Sequence, residues 1–301
     1  MGKVNSPLVS IIVNCFNGEK YLEKALQSII NQTYKNWEVI FWDNQSIDNS
    51  KKIFLSFKDQ RFKYYISDNH TSLYKARNKA INKSQGQIIA FLDTDDWWNN
   101  TKLEKQISFF EDEKVGIVYS NLFLFFENIK KEKIYSKKIL KSGYLTKNLL
   151  KSYNIGISTI LLRKKAFDDA LGFNSNFNVI GDFDLVIRIS LDWMFACIQE
   201  PLSYYRIHDK NFSLINNKLE LKEFERWISN PKIILNNRLS PYLKYINQRI
   251  IFLRTIKNID EGNLKKAIKD ILFFPLSLNK IKLILHIILP KSFLRKIKNF
   301  H

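Results

Sequence analysis

Only two cysteines, Cys15 and Cys197, occur in 301 residues, and neither is spaced to pair with the other or with a histidine. A disulfide framework and a cysteine-built zinc site are thereby excluded, and a reducing compartment is the natural setting. Nine glycines and six prolines are too few for a collagen-like or low-complexity chain, and no repeat of solenoid period is present. Long apolar runs are also missing. The best of them, Phe274 to Pro290, is broken by Pro275, Asn279, Lys280 and Lys282 before it reaches the ~20 apolar residues that a spanning helix needs. The first residues show no charged region followed by an apolar core and a cleavage site, so export by a signal peptide is not expected. Acid is the scarce charge: 29 Asp and Glu stand against 48 Lys and Arg, leaving +19.

What is present is a folding composition. With 45% hydrophobic residues and six tryptophans, a chain of this length buries roughly three-quarters of its unfolded surface. The positive excess points to an anionic partner: nucleic acid, a phosphorylated ligand or an acidic membrane surface. It is unevenly spread. From Pro241 to His301 there are 13 basic residues and three acids, so this tail carries +10 and the first 240 residues only +9.

Short β-rich runs alternate with helical periodicities along the first hundred residues. Strands are expected at Leu8 to Val13, Trp37 to Trp42, Phe62 to Ile66 and Gln87 to Leu92, and helices at Gly18 to Gln32, Ile47 to Phe57 and Leu73 to Ile81. Such alternation predicts right-handed crossovers, a mostly parallel sheet and helices on both faces. After Asp96 the rhythm changes: a helix over Thr101 to Glu111, one or two strands over Val115 to Glu127, and a lysine-dense loop or exposed hairpin over Lys130 to Lys141. Helices follow at Leu219 to Ile228, Tyr242 to Ile256 and Leu264 to Phe273. The expected organisation is a catalytic domain over residues 6–212 and a helical basic extension over 213–301. Near its end, Ile281, Ile284, Leu285 and Ile288 share one helical face, and Phe293, Leu294, Ile297 and Phe300 another, among Lys291, Arg295, Lys296 and Lys298. An apolar stripe with cationic flanks suits a helix lying in an anionic membrane interface, and equally a helix docked on its own domain or on a partner.

In an open parallel sheet, ligands bind beyond the carboxyl ends of the strands. Those ends carry Asn14 to Gly18, Asp43 with Asn44, and Asp93-Thr94-Asp95-Asp96. The first turn has no GxGxxG, so a dinucleotide gripped by its pyrophosphate is not supported, whereas Asp43 still suits a ribose or base. Three carboxylates in four residues repel one another unless a cation or dense hydrogen bonding compensates, and alternate residues of an extended segment face the same way. Oxygen-only ligands with open positions favour Mg²⁺ or Mn²⁺, shared with substrate phosphates.

Residues 7–50, from PLVSIIVNCFNG to FWDNQSIDNS, together with ARNKAINKSQGQIIAFLDTDDWW, GFNSNFNVIGDFDLVIRIS and YRIHDKNFS, occur in an order that resembles glycosyltransferase family 2. The resemblance covers about residues 6–213 and implies an α/β GT-A fold, Rossmann-like, in an inverting enzyme that uses a nucleotide sugar. It further implies that Asp43 and Asn44, with Asn14 and Asn17, contact the nucleotide. It places Asp93, Asp95 and Asp96 around a divalent cation on the donor diphosphate, with Asp95 favoured as the direct ligand, and sets Arg77 near the donor. Asp182 falls at the position of the catalytic base, with Asp184 as a fallback. In that family the base is usually preceded by Glu; here the residue is Gly181.

The chemistry agrees with this placement. Glycosyl transfer needs a carboxylate to activate a hydroxyl and a stabilised diphosphate leaving group, and Arg206 and His208 can close over the diphosphate as donors. The cationic apolar tail and the Lys130 to Lys141 stretch point to a lipid-linked glycan acceptor in cell-surface polysaccharide synthesis, at the cytoplasmic membrane face. Two other classes remain open on the residues alone. A nucleotidyltransferase also uses paired aspartates, but only Lys20 in the first turn would grip phosphate. A nucleic-acid-binding protein would explain +19, yet no nucleic-acid motif accompanies the charge, and nucleic acid is not the expected partner.

Overall fold

Residues 6–289 are described in the structure, a computed structural model. The chain divides into two compact units, one of residues up to Leu149 together with Tyr153–His208, the other of Leu150–Ser152 with the residues from Asp209 onward.

The first unit is organised by a nine-stranded sheet in the order β3-β2-β1-β4-β8-β6-β9-β5, with β7 paired to β6. Its first half has the expected alternation: β1 (Val9–Cys15), α1 (Glu19–Ile30), β2 (Trp37–Asp43), α2 (Ser50–Ser56), β3 (Phe62–Ile66), α3 (Leu73–Ile81) and β4 (Ile88–Phe91). These four strands are parallel neighbours. All seven positions of β2 are buried, as a strand covered on both faces requires. Helix α1 presents Leu22, Ala25, Leu26 and Ile29 to the sheet, and they join Val9, Ile11, Val39 and Phe41 in one core. Each such large aliphatic side chain contributes roughly 1.5–3 kcal/mol on burial.

Beyond β5 (Trp97–Trp98) the regular strand–helix alternation ends. Helix α4 (Lys102–Ile107) passes into a 3₁₀ turn at Ser108–Glu111, where a single longer helix was expected. The stretch after it is one long strand, β6 (Val115–Phe126), which pairs with the exposed β7 (Lys131–Ile134), so the lysine-dense segment is a hairpin. After α5 (Thr146–Lys151), the short β8 (Leu161–Arg163) inserts antiparallel between β4 and β6. Helices α6 (Lys164–Asp169) and α7 (Gly181–Ser190) follow, and β9 (Met194–Ile207) runs parallel to β6. The sheet is therefore mixed, parallel around β1 and partly antiparallel around β6.

In the second unit α8 (Phe212–Ile215), α9 (Asn217–Ile228), α10 (Pro231–Ile234), α11 (Leu243–Asp260), α12 (Leu264–Phe273) and α13 (Leu278–Ile288) succeed one another. Ile256, Ile271, Phe274 and Leu283 form a small core among the last three. Ile281, Ile284, Leu285 and Ile288 face outward from that core. The second expected stripe, Phe293 to Phe300, lies outside the described residues. Among the described residues no helix is long and apolar enough to cross a membrane.

Candidate active site

The register of β1 against β2 pairs Asn14 with Trp42 and Cys15 with Asp43, so both strands deliver their last residues to one sheet edge. Leu92 continues β4 alongside Ile12, and Asp93 follows it to the same edge. A Cβ on Gly18 would lie 2.9 Å from Thr94 Oγ1. Glycine is thus what lets the first loop close onto the aspartate loop. Asn17, in the left-handed region at φ 53°, accepts from the Ile47 N–H at 2.9 Å, and its own N–H donates to Ser46 at 3.0 Å. It shapes the loop.

Asp43 is buried, with Oδ1 accepting from the Ser46 N–H at 2.7 Å and Oδ2 from the Tyr64 hydroxyl at 2.7 Å. Burial and the bond to Asp43 push the Tyr64 phenol upward, which keeps it a donor. Asn44 is equally occupied: its Nδ2 donates to Thr71 O at 2.8 Å, and its Oδ1 accepts from Thr71 N and Oγ1, both at 3.1 Å. The expected nucleotide contact at Asn44 is a tether holding the segment around His70 and Thr71. Asn14 is the opposite case, because both of its amide atoms are buried without a hydrogen-bond partner among the described residues. A buried unsatisfied amide at a sheet edge is expensive unless a ligand completes it. Beside it Phe16 is 53% exposed and its ring lies 4.3 Å from that of His70. This aromatic pair escaped the sequence reading, since exposure of one ring is not visible in a residue pattern.

The three aspartates diverge. Asp93 accepts from Arg77 Nη2 at 2.6 Å, and Arg77 is buried, so the arginine expected near the donor is an internal ion pair. Asp95 accepts from His208 Nε2 at 3.0 Å, and its carbonyl accepts from Arg206 Nε at 2.9 Å. Asp96 is buried and accepts from the Arg206 N–H at 3.0 Å. Burial and the neighbouring Asp95 and Asp93 hold its carboxyl well above the ordinary range. The Arg206 guanidinium lies 4.3 Å from the Tyr21 ring and 4.8 Å from the Trp97 ring, a cation held among aromatics. It and His208 brace the aspartate loop. No group of three His, Cys, Asp or Glu side chains among the described residues converges as a closed metal site. Asp95 is engaged by His208 on Oδ2 and Asp93 by Arg77 on Oδ1, so their remaining oxygens are the carboxylate donors this loop offers. That set fits an ion completed by substrate phosphates and water.

Asp182 opens α7. Its Oδ1 accepts from the Phe183 N–H at 2.8 Å and lies 3.3 Å from the Tyr74 hydroxyl. It keeps a partial opening to solvent, while burial of its other sides raises its carboxyl above the usual range against the lowering pull of those bonds and of Arg77. Asp184 is buried and bound by Arg188 through Nε at 3.0 Å and Nη2 at 2.6 Å. As a fallback base it is unsuited, because its charge is spent on Arg188. Tyr153 is a further group that the sequence reading missed: its hydroxyl is buried without a partner among the described residues and feels the charge of Asp182.

Fold and site together define a GT-A glycosyltransferase. Residues 10–171 match Glycosyl transferase family 2, and the chain belongs to that family. It is 36% identical over 155 residues to the UDP-Glc:alpha-D-GlcNAc-diphosphoundecaprenol beta-1,3-glucosyltransferase WfgD of Escherichia coli, a match covering 52% of this chain and 60% of that relative. This chain thus spans less than two-thirds of that relative's length. An uncharacterised glycosyltransferase of Methanocaldococcus jannaschii is 30% identical over 223 residues, covering 70% of this chain and 74% of the other. Among solved structures, Staphylococcus aureus TarS 1–349 with UDP-GlcNAc aligns at a TM-score of 0.62 and 14% identity, over 87% of this chain and 88% of that one. The mannosyltransferase PcManGT of Pyrobaculum calidifontis, with GDP-Man and Mn²⁺, aligns at 0.62 and 14% identity, over 95% of this chain and 87% of the other.

Proposed function

We propose that this glycosyltransferase inverts the anomeric centre as it moves a sugar from a nucleoside diphosphate to a hydroxyl of a lipid-linked glycan. The observation that carries the reading is the pairing of two unlike carboxylate sites within the first unit. Asp182 is single, with a raised proton affinity; the Asp93 to Asp96 loop is braced by cations. A base must accept a proton at its working pH, so the upward displacement of Asp182 suits it to take the acceptor's hydroxyl proton. The acceptor oxygen then forms its bond to the anomeric carbon as the carbon–oxygen bond to the diphosphate breaks on the opposite face. No carboxylate nucleophile is needed for that geometry.

A Mg²⁺ or Mn²⁺ ion held by Asp95 and Asp93 would neutralise charge on the departing diphosphate. On the protein side, the Asn14 amide would be satisfied by the donor, Phe16 with His70 would offer a face to the base, and Asp43 would hold the strand ends beneath it. Arg206 and His208 fix the orientation of Asp95. The relative from E. coli, named for UDP-Glc and a diphosphoundecaprenol-linked acceptor, supports the donor and acceptor classes. PcManGT with Mn²⁺ supports the choice of ion.

For the second unit the reading is attachment to an anionic membrane surface at its cytoplasmic side. Leu272, Phe273, Leu276 and Leu278 are 70%, 81%, 94% and 77% exposed, beside Lys265, Lys266, Lys269 and Lys282. Apolar area with cationic flanks is the composition that partitions into such an interface. Two experiments test the whole. Nucleotide release is measured over a panel of sugar nucleotides with Mg²⁺ or Mn²⁺ and polyprenyl-diphosphate-linked acceptors; one donor should be turned over, and release from none overturns the transfer reading. Flotation with anionic and neutral vesicles should show binding to the former alone, weakened by salt; binding to random DNA with indifference to vesicles overturns the membrane reading.

A further inference from the structure

Gly181 begins α7 directly before Asp182, and its backbone presses on an aromatic ring. A Cβ built there would stand 2.4 Å from Tyr74 Cδ2 and 2.5 Å from Cε2, distances that real carbon atoms do not tolerate. Tyr74 is only 3% exposed and projects from the first turn of α3 against the start of α7. Its hydroxyl lies 3.1 Å from Val179 O and 3.3 Å from Asp182 Oδ1. The tyrosine ring fills the space that any side chain at position 181 would need.

We infer that Tyr74 is the positioning residue for Asp182 and that Tyr74 and Gly181 form a matched pair, the ring occupying the space that a side chain at 181 would take and the hydroxyl holding the carboxylate. The inference rests on Asp182 being the base. Its logic is the division of labour between the two carboxylate oxygens. The Phe183 N–H and the Tyr74 hydroxyl, whose one proton is shared with Val179 O, both meet the carboxylate on Oδ1. Oδ2 is thereby left to receive the acceptor's proton, with the rotation of the carboxylate fixed. The groups facing Asp182 are Tyr74 and Arg77 from α3, Tyr153, and the first-turn N–H groups of α7. Of these side chains, only Tyr74 is hydrogen-bonded to it.

The test uses Tyr74→Phe, which keeps the ring and removes the hydroxyl. Carboxyl ¹³C titration of Asp182, assigned with Asp182→Asn, should show a higher pKa in Tyr74→Phe than in the parent, because a bond favouring the charged form is gone. Turnover should fall on the order of tenfold with donor KM unchanged, the mark of a contact used in the transition state. The acid limb of the rate profile should move to higher pH. An unmoved titration and an unmoved limb overturn the positioning role. The pairing is read separately by thermal melts: Gly181→Ala should lower the melting temperature in the parent and have no further effect in a Tyr74→Ala background. Additive losses overturn the pairing. Should Asp182→Asn keep full transfer, the base assignment fails, while the titration and the melts still decide between Tyr74 and Gly181.

Discussion

Arg77 Nη2 lies 2.6 Å from Asp93 Oδ1, and the two ends of this ion pair meet very different surroundings, the arginine side chain being 3% exposed and the aspartate 35%. The buried cation therefore depends on the aspartate far more than the reverse. Burial pulls the guanidinium's proton affinity down, and the charge of Asp93, reinforced by Tyr74 and Asp182, more than restores it. The same carboxylate is partly open to solvent at the sheet edge, so the residue that anchors α3 is also accessible there.

Asp93→Ala is accordingly expected to destabilise the fold more than Arg77→Met. Removing one partner of a buried pair costs roughly 3–5 kcal/mol, reduced here to about half because Asp93 is partly open to water. Arg77→Met leaves Asp93 able to hydrate. Urea unfolding of both variants checks the order; equal losses would mean that the pair is not what holds Arg77.

Asn14 carries the reverse expectation. Its amide finds no hydrogen-bond partner among the described residues, so Asn14→Val should leave stability unchanged or raise it by about 1 kcal/mol, since an unsatisfied buried polar group is removed. Affinity for the nucleotide sugar should fall at least tenfold, the effect of losing about one good hydrogen bond to a charged ligand. Calorimetric titration of the donor, paired with thermal melts, separates the two effects.

Much of the first half was legible because its elements are local. Phe62–Ile66 and Leu73–Ile81 have the same limits in sequence and structure, each being a continuous periodic pattern with turn residues on both sides. β8 was not legible: three residues leave no period to read, and its place between β4 and β6 is set by partners far along the chain. β9 hides for another reason. Gln199, Glu200 and Pro201 interrupt its apolar pattern, and the register shifts opposite Pro201, where proline cannot donate to the ladder. At the site, the carboxylates could be named from sequence, whereas what each one spends its oxygens on could not. Asn44 is consumed by Thr71 and Asp184 by Arg188; Gly181 makes sense only beside Tyr74, a contact that exists solely in three dimensions.

The Asp184–Arg188 ion pair marks Asp184 as a structural acid, two residues from the proposed base Asp182. Asp184→Asn should cost roughly 1.5–3 kcal/mol, the worth of hydrogen bonds to a charged group, because Arg188 also spans to Gly172 O at 2.9 Å. The position of the acid limb in the rate profile should stay where it is in the parent. A displaced limb in this variant would make Asp184 the titrating base.

Asp182→Asn tests function and stability with opposite signs. Its carboxyl is raised in the folded protein, first by burial, so the folded state binds that proton more tightly than the unfolded chain does. A group of this kind adds stability at pH below its unfolded value, near 3.9 for aspartate, and loses that contribution as pH climbs through the folded value. At neutral pH the ionised carboxylate is thus a burden on the fold, which asparagine lifts while still accepting from Phe183 and Tyr74. Asp182→Asn should melt at or above the parent temperature at pH 7, and the difference should shrink on acidification through the range where the parent carboxyl protonates. Transfer should drop by 10²–10⁴-fold, the usual contribution of a general base. In the parent, kcat/KM should fall toward acid pH with a midpoint above the ordinary aspartate range, and that limb should be absent from the residual rate of the variant. A variant that is less stable at pH 7 and yet fully active would refute both the raised carboxyl and its role as the base.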